Sequence, residues 1–575
     1  MKTLIVISII FLLLLIGLII FFSRRKQRTK PSFDSPLQTL EALQEHSLEF
    51  EQQVINVTDG VYVAIGYGLA NSIMIEGEDG VIIIDVMESV QAGEKVKAAF
   101  NSITDKPVKA IIYTHNHTDH IFGATAFADS TTDVYAQELM PYYLDRLVTV
   151  VRPIIEKRSY RMFGTYLQED VLVNCGIGKK LMFDEGAELG VIRPNIVFKD
   201  SLEVNISGIT LKMVHAPGET DDQLFIWLPD KKVLLCADNF YRSFPNLYTI
   251  RGTPHRDVNQ WKESLDKMRY LQAEYLVPGH TKPIVGKDTI FKVLTDYRDA
   301  IQFVHDQTVR GMNMGMTPDE LVSFVQLPDH LSQSPYLQEF YGTVEWSVRA
   351  IFDGYLGWFD GKPESLFPVS PEERAAKLAA LAGGIENLEK EMNRALADEE
   401  YNWALEVAGY IKALAPENQA ASEAGQMALT RLGESESNAN ARHYFLSRAL
   451  EEKGLEYKTL VTPSIEMVHK TPMRAIFDAL ATRLNPGKTS GVHKLVVFQF
   501  PDSEEVFSVF VRKGIAEVQP FQLGEADIVI TVKSRVWKEI AAEMRSPLES
   551  YLNGDIKISG GKIELIRFLS WFDRE

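Results

Sequence analysis

Between Tyr113 and His120 the chain reads Tyr113-Thr114-His115-Asn116-His117-Thr118-Asp119-His120, directly after the apolar, β-branched run that starts at Val108. A strand that ends in this way constrains everything folded around it. In an extended segment alternate side chains point the same way, so His115 and His117 converge on one ion. Asp119 and His120, where the chain turns into a helix, reach a second ion nearby. Imidazole nitrogen combined with carboxylate oxygen suits zinc, and no thiolate is needed. A lone histidine is more often structural. Three histidines and an aspartate within six residues at a strand end are read as metal ligands.

The rest of the composition bears on what such a centre acts upon. A formal net charge of -18 repels nucleic-acid backbones, and the sequence holds no basic patch large enough to offset it. A small anionic substrate is repelled from afar too, so its site needs local positive charge from metal ions and a few arginines. The two cysteines, Cys175 and Cys236, make no disulfide framework and match no zinc spacing, and are read as buried thiols.

From Leu4 to Phe22 the chain is almost purely apolar, broken by Ser8 and Gly17, and Arg24, Arg25, Lys26, Arg28 and Lys30 follow. At about 1.5 Å per helical residue this run nearly spans a hydrocarbon core of about 30 Å. No small-residue cleavage site follows it, so residues 1–23 are expected to be an uncleaved, single-pass transmembrane anchor. The positive-inside rule then places the catalytic part in the cytoplasm, with the exported side left open as the alternative. Residues 24–45, basic and polar with Pro31 and Pro36, are expected to be a linker.

From Val54 short β-branched runs alternate with turns: Val61 to Ile65, Ser72 to Ile75, Val81 to Ile84, Thr210 to Val214, Leu224 to Leu228 and Val233 to Leu235. Strands in hairpins with interspersed helices predict an α/β sandwich. After Thr317 the chain is rich in Ala, Leu and Glu, and Trp403, Val407, Ile411 and Leu414 recur at helical spacing, which predicts helical hairpins with an apolar core. From Thr471 a helix and then strands, Lys494 to Phe500 and Val506 to Arg512, predict a compact α+β unit.

The motif of His115, His117, Asp119 and His120 resembles the signature of the metallo-β-lactamase superfamily. The resemblance implies further ligands at later strand ends. His215-Ala216-Pro217-Gly218-Glu219 follows a strand and places Glu219 where most of the superfamily has histidine, a departure shared with alkyl sulfatases. His215 stays open as the alternative ligand. Asp238, after Val233 to Leu235, is implied as the bridge between the ions, and His280, in Pro278-Gly279-His280, as the last ligand. The expected centre is His115, His117 and Glu219 on one ion, Asp119, His120 and His280 on the other, with Asp238 between. Asp85 is expected to orient a ligand, and Asp221 and Asp222 to sit behind the centre or on the surface.

Asn246-Leu247-Tyr248-Thr249-Ile250-Arg251-Gly252 is similar to a segment of the alkyl sulfatases. A planar guanidinium grips sulfate oxygens in bidentate fashion, so Arg251 is expected to anchor the sulfate, with Asn239, Asn246 and Tyr248 beside it. Asp119, Arg251 and His255 are the catalytic candidates. Tyr341-Gly342-Thr343-Val344-Glu345-Trp346 and Tyr355-Leu356-Gly357-Trp358-Phe359 resemble the dimerisation region of that family, and Gly554-Asp555-Ile556-Lys557-Ile558 resembles its sterol-carrier-like end. The resemblance implies an αββα sandwich over 46–316, an all-α dimerisation domain over 317–456 and a sterol-carrier-like α+β domain over 457–575. It also implies a homodimer with two divalent ions, zinc by donor type, that cleaves alkyl sulfates to sulfate and alcohol at an amphiphilic small-molecule site. The alternatives are another ester or lipid hydrolase on the same scaffold, and a lipid-binding protein with a structural metal site.

Overall fold

A computed structural model describes residues 36–559 and 562–573. Two sheets lie at the centre of the first part. One has seven strands in sequential order: β1 Gln53–Thr58, β2 Val61–Ile65, β3 Ser72–Glu76, β4 Val81–Ile84, β5 Val108–Ile112, β6 Asp133–Gln137 and β7 Ile196–Phe198. It is antiparallel through β4 and parallel from β4 to β7. The other has six: β8 Ser201–Ile206, β9 Ile209–His215, β10 Leu224–Leu228, β11 Val233–Ala237, β12 Tyr275–Pro278 and β13 Ile284–Val285.

The pleat explains the layering. In β4 all four residues are buried, with Ile82 and Ile84 facing the second sheet and Val81 and Ile83 packed with the helices outside. Burial on both faces is why this strand reads as an unbroken apolar run. Helix Val90–Asn101 covers the first sheet, its start capped by Ser89, which accepts from the Ala92 amide. Helices Val258–Arg269 and Lys287–Asn313 cover the second. The result is helix, sheet, sheet, helix.

From Pro371 five helices follow, Pro371–Ala382, Ile385–Ala397, Tyr401–Leu414, Gln419–Ser435 and Ala439–Glu452. Val407 and Ile411 are fully buried, whereas Trp403 sits at the edge and its indole donates to Glu391. The C-terminal part is a five-stranded sheet of β14 His493–Phe500, β15 Glu505–Arg512, β16 Ile515–Gln519, β17 Ile528–Val532 and β18 Ile556–Ile558, in the order β16-β15-β14-β17-β18. One short segment stitches this part to the sandwich. Val461–Pro463 pairs in parallel with Ala187–Leu189.

Two expectations are corrected. No helix among the described residues is long and apolar enough to cross a membrane. That overturns the transmembrane helix and the single-pass membrane localisation, cytoplasmic side included, and the run 4–22 on which they rested lies outside the described residues. The stretch expected to be linker up to residue 45 carries the helix Pro36–His46 in its later part. Pro36 opens that helix rather than breaking it, because a first-turn proline forfeits no helical hydrogen bond. Its far end is anchored, with His46 Nε2 2.8 Å from the Gly176 carbonyl and stacked on Phe340.

Candidate metal centre

The side chains of the centre leave the sheets at the C-terminal ends of strands. β5 runs into the motif, and the Leu224 amide of β10 donates to the Thr114 carbonyl, tying the two sheets together at that point. β9 leads to Glu219, β11 to Asp238 and β12 to His280. Ala237, just before Asp238, adopts φ +50°, and Asp85, just after β4, φ +57°. Left-handed backbone at non-glycine residues is uncommon and clusters where a site dictates geometry. Gly279 is required for a different reason. A Cβ there would come within 2.3 Å of Asp238 Oδ1.

The hydrogen bonds around the rim fix which nitrogen of each ring faces inward. His120 Nδ1 lies 2.7 Å from Asp85 Oδ2, and His280 Nδ1 2.9 Å from the Leu69 carbonyl. Thr114 Oγ1 donates to Asp85 Oδ2 at 2.8 Å, so it accepts from His115 Nδ1 at 3.0 Å. All three rings therefore carry the proton on Nδ1 and turn the Nε2 lone pair to the centre. There His280 Nε2 is 3.1 Å, His120 Nε2 3.4 Å and His115 Nε2 3.7 Å from Asp238 Oδ2. Asp119 Oδ2 stands 3.5 Å from both His120 Nε2 and His280 Nε2. His117 presents Nδ1 instead, 3.9 Å from Glu219 Oε1.

These atoms form three overlapping groups in which all ligand atoms lie within 4.8 Å of one another: His115 with His120 and Asp238, Asp119 with His120 and His280, and His117 with Glu219 and Asp238. Three of the atoms, His120 Nε2, Glu219 Oε2 and Asp238 Oδ1, are buried without a hydrogen-bond partner. A buried polar atom left unpaired costs about 1–3 kcal/mol, and a pair of divalent cations is the species whose charge and coordination these lone pairs fit. Burial drives His115 and His117 well below the ordinary imidazole range, whereas at His120 and His280 burial is outweighed by the carboxylates, Asp238 foremost, which raise the imidazole, favouring positive charge where a cation would sit. Burial also pushes the Glu219 carboxyl up to about 7, against the pull of Arg256.

Beside the centre opens a recess of about 890 Å³, part of it open to solvent. His117, Asp119, Glu219, Asp238, His280 and Arg251 form its polar end, while Phe122, Ile155, Leu181, Phe183, Leu189 and Met467 contribute apolar wall. Arg251 Nη2 lies 2.9 Å from His117 Nε2.

With that geometry in place, comparison with known proteins is decisive. The chain is 38% identical over 523 residues to a linear primary-alkylsulfatase of a Pseudomonas strain, covering 87% of this chain and 98% of that one. The chain belongs to the alkyl sulfatase family. An alkyl/aryl-sulfatase of Saccharomyces cerevisiae is 28% identical, over 90% of this chain and 82% of its own length. The solved structure of a stereoselective inverting sec-alkylsulfatase from a Pseudomonas species superimposes with a TM-score of 0.86 at 25% identity, covering 94% of this chain and 87% of that one. The family models match in order: metallo-β-lactamase superfamily over 65–280, alkyl sulfatase dimerisation over 317–454 and alkyl sulfatase C-terminal over 461–575.

Within this alkyl sulfatase some expected residues stand away from the recess. His255 is exposed, and its ring packs so closely over Gly354 that a Cβ there would lie 1.9 Å from Cε1. That corrects its catalytic reading. Asn239, Asn246 and Tyr248 do not line the recess. Asn239 instead donates to the Ala216 carbonyl, and the Asn246 carbonyl accepts from Arg256. His215 turns its Nε2 to the Asp221 carbonyl, 2.7 Å away and outside the ligand groups. Asp222 is buried and accepts from Asn116, bracing the motif, while Asp221 accepts from the Tyr143 hydroxyl. Three residues that sequence reasoning passed over matter here. Tyr341 lines the recess, Arg256 is buried against Glu219 at 3.1 Å, and Glu88 accepts from the Leu69 and Met182 amides just behind the wall.

Proposed function

We propose that the chain is a binuclear-metal hydrolase cleaving alkyl sulfate esters to sulfate and alcohol. His115, His117 and Glu219 would hold one divalent cation, Asp119, His120 and His280 the other, and Asp238 would lie between them. Imidazole and carboxylate donors suit zinc. Two such cations, when bound, activate water near neutral pH and take up negative charge on the ester.

The chain's own residues supply the rest. Arg251 offers the sulfate a rigid donor fork in a protein whose net charge otherwise repels anions. Tyr341 lines the same end of the recess, and burial together with the Glu219 carboxylate keeps its phenol protonated and able to donate. The walls at Phe122, Leu181 and Phe183 receive the alkyl tail and exclude water from it, at about 0.8 kcal/mol for each buried methylene. We place the catalytic part at 46–316, the helical part at 317–456 and the α+β part at 457–575. We also propose that the molecule is a homodimer joined through the helical part, where Trp358 and Phe367 are 72% and 94% exposed.

One observation carries the reading. Side chains from distant strand ends meet at one end of a recess whose walls are mostly apolar. The test is release of sulfate and alcohol from dodecyl sulfate by protein holding two metal equivalents, with activity lost on chelation and restored by Zn²⁺. His117→Ala and Asp119→Ala should abolish turnover and leave the circular dichroism spectrum unchanged. Full activity in the chelated protein or in those variants would refute the proposal.

A further inference from the structure

Arg256 is 4% exposed, and its side chain and that of Glu219 are each only 2% exposed. Its Nη1 reaches Glu219 Oε1 at 3.1 Å and also donates to the Asn246 carbonyl. The other nitrogens, Nε and Nη2, have no partner, and neither does Glu219 Oε2. The contact is therefore a one-sided ion pair: Nη1, whose hydrogen bond goes to Asn246, stands beside one carboxylate oxygen, and the second oxygen has no partner.

The backbone makes this grip rigid. Asp257, the next residue, caps helix Val258–Arg269 by accepting from the Asn259 and Gln260 amides. Trp261 on the same helix donates to the Asn239 carbonyl, one residue beyond Asp238. Arg256 thus stands at a fixed helix start that is pinned to the Asp238 loop.

We propose that Arg256 is a positioning residue for one of the two metal positions: its ion pair with Oε1, the oxygen that lies 3.9 Å from His117 Nδ1, holds the Glu219 carboxylate toward that position. Glu219 belongs to the ligand group with His117 and Asp238 and to no other, whereas Asp119, His120 and His280 group without it. The effect is consequently confined to one of two sites. The inference rests on the binuclear reading of the centre, but its test does not depend on the substrate.

The test is competitive titration of the full-length, metal-free protein with Zn²⁺ and a chromophoric chelator, resolving the two equivalents. Arg256→Met is expected to weaken one equivalent by about 10–100-fold, the usual cost of removing a group that orients a ligand, and to leave the other unchanged. Arg256→Gln and Arg256→Lys, which keep a donor within reach of Oε1, should restore most of that loss. Equal weakening of both equivalents, no change, or a gain in affinity from removing a nearby positive charge would each overturn the proposal. If the Met variant does not fold, the wild-type protein decides. In protein labelled with ¹³C-glutamate, a carboxylate band missing from Glu219→Gln should shift with one of the two metal equivalents and not with the other. A shift with both equivalents, or with neither, overturns the proposal. Zinc bound as described by a protein inert toward dodecyl sulfate would sink the sulfatase reading and leave Arg256 in its role.

Discussion

Arg251 Nη2 and His117 Nε2 are 2.9 Å apart. A guanidinium has no lone pair to give, so the imidazole accepts there and its proton sits on Nδ1, the atom turned toward Glu219. With a cation held at Nδ1 the ring proton would have to sit on Nε2, and the guanidinium would then have to leave the ring and turn into the recess. Arg251 therefore opposes metal uptake and favours anion binding. Arg251→Met is expected to raise affinity for the cation at His117 while lowering kcat/KM for dodecyl sulfate by about 10²–10³-fold, the scale for losing a donor to a charged transition state. Metal titration and steady-state kinetics on one preparation check both signs, and a joint fall would contradict the account.

Asp85 lies behind the centre and holds the Nδ1 proton of His120 at 2.7 Å. Asp85→Asn keeps the shape but frees the ring to turn its other nitrogen inward. Loss of about 10–100-fold in affinity for the cation at Asp119, His120 and His280 is expected, measured by equilibrium dialysis against a zinc buffer.

Glu88 gives the pH dependence of stability a sign. It is fully buried, and burial, helped by the charge of Asp119, pushes its carboxyl up to about 7 from an unfolded value of 4.5. The folded chain thus binds more protons than the unfolded one across that window, so this group costs stability as pH rises from 4.5 to 7. The cost levels off above 7 at about 3 kcal/mol. The difference in Tm between Glu88→Gln and the parent should move in favour of the variant from pH 5 to pH 8. A difference that stays constant across that range would show that Glu88 is ionised throughout.

Met467, on helix Ile465–Lys470, brings the C-terminal part to the wall of the recess. Met467→Trp is expected to displace the end of a long tail and spare a short one. Two methylenes expelled cost about 1.6 kcal/mol, or roughly 15-fold in kcat/KM. Comparing hexyl with dodecyl sulfate measures it, and an equal loss on both would place Met467 away from the tail.

The motif from His115 to His120 is legible in the sequence as a local pattern, a strand end running into a helix. Glu219, Asp238 and His280 are located as proposed ligands only by the resemblance to the metallo-β-lactamase superfamily, each after a later strand. Arg256 could not be found that way. Its partner lies 37 residues earlier, and only burial reveals the pairing. His255, a catalytic candidate in the sequence, shows the converse error. Gly252, at φ +106°, turns the backbone there, and His255 ends up outside. Glu88 looks like an ordinary loop acid in sequence, because nothing local tells that two amides from distant segments close over it.

The pairing of Val461–Pro463 with Ala187–Leu189 has a consequence for how the molecule is made. The ribosome delivers the last of the proposed metal ligands, His280, about 190 residues before it delivers Met467. A nascent chain can therefore assemble its cation cluster early, as domains tend to fold in order of synthesis, yet that greasy basin stays open on one flank until translation is nearly done.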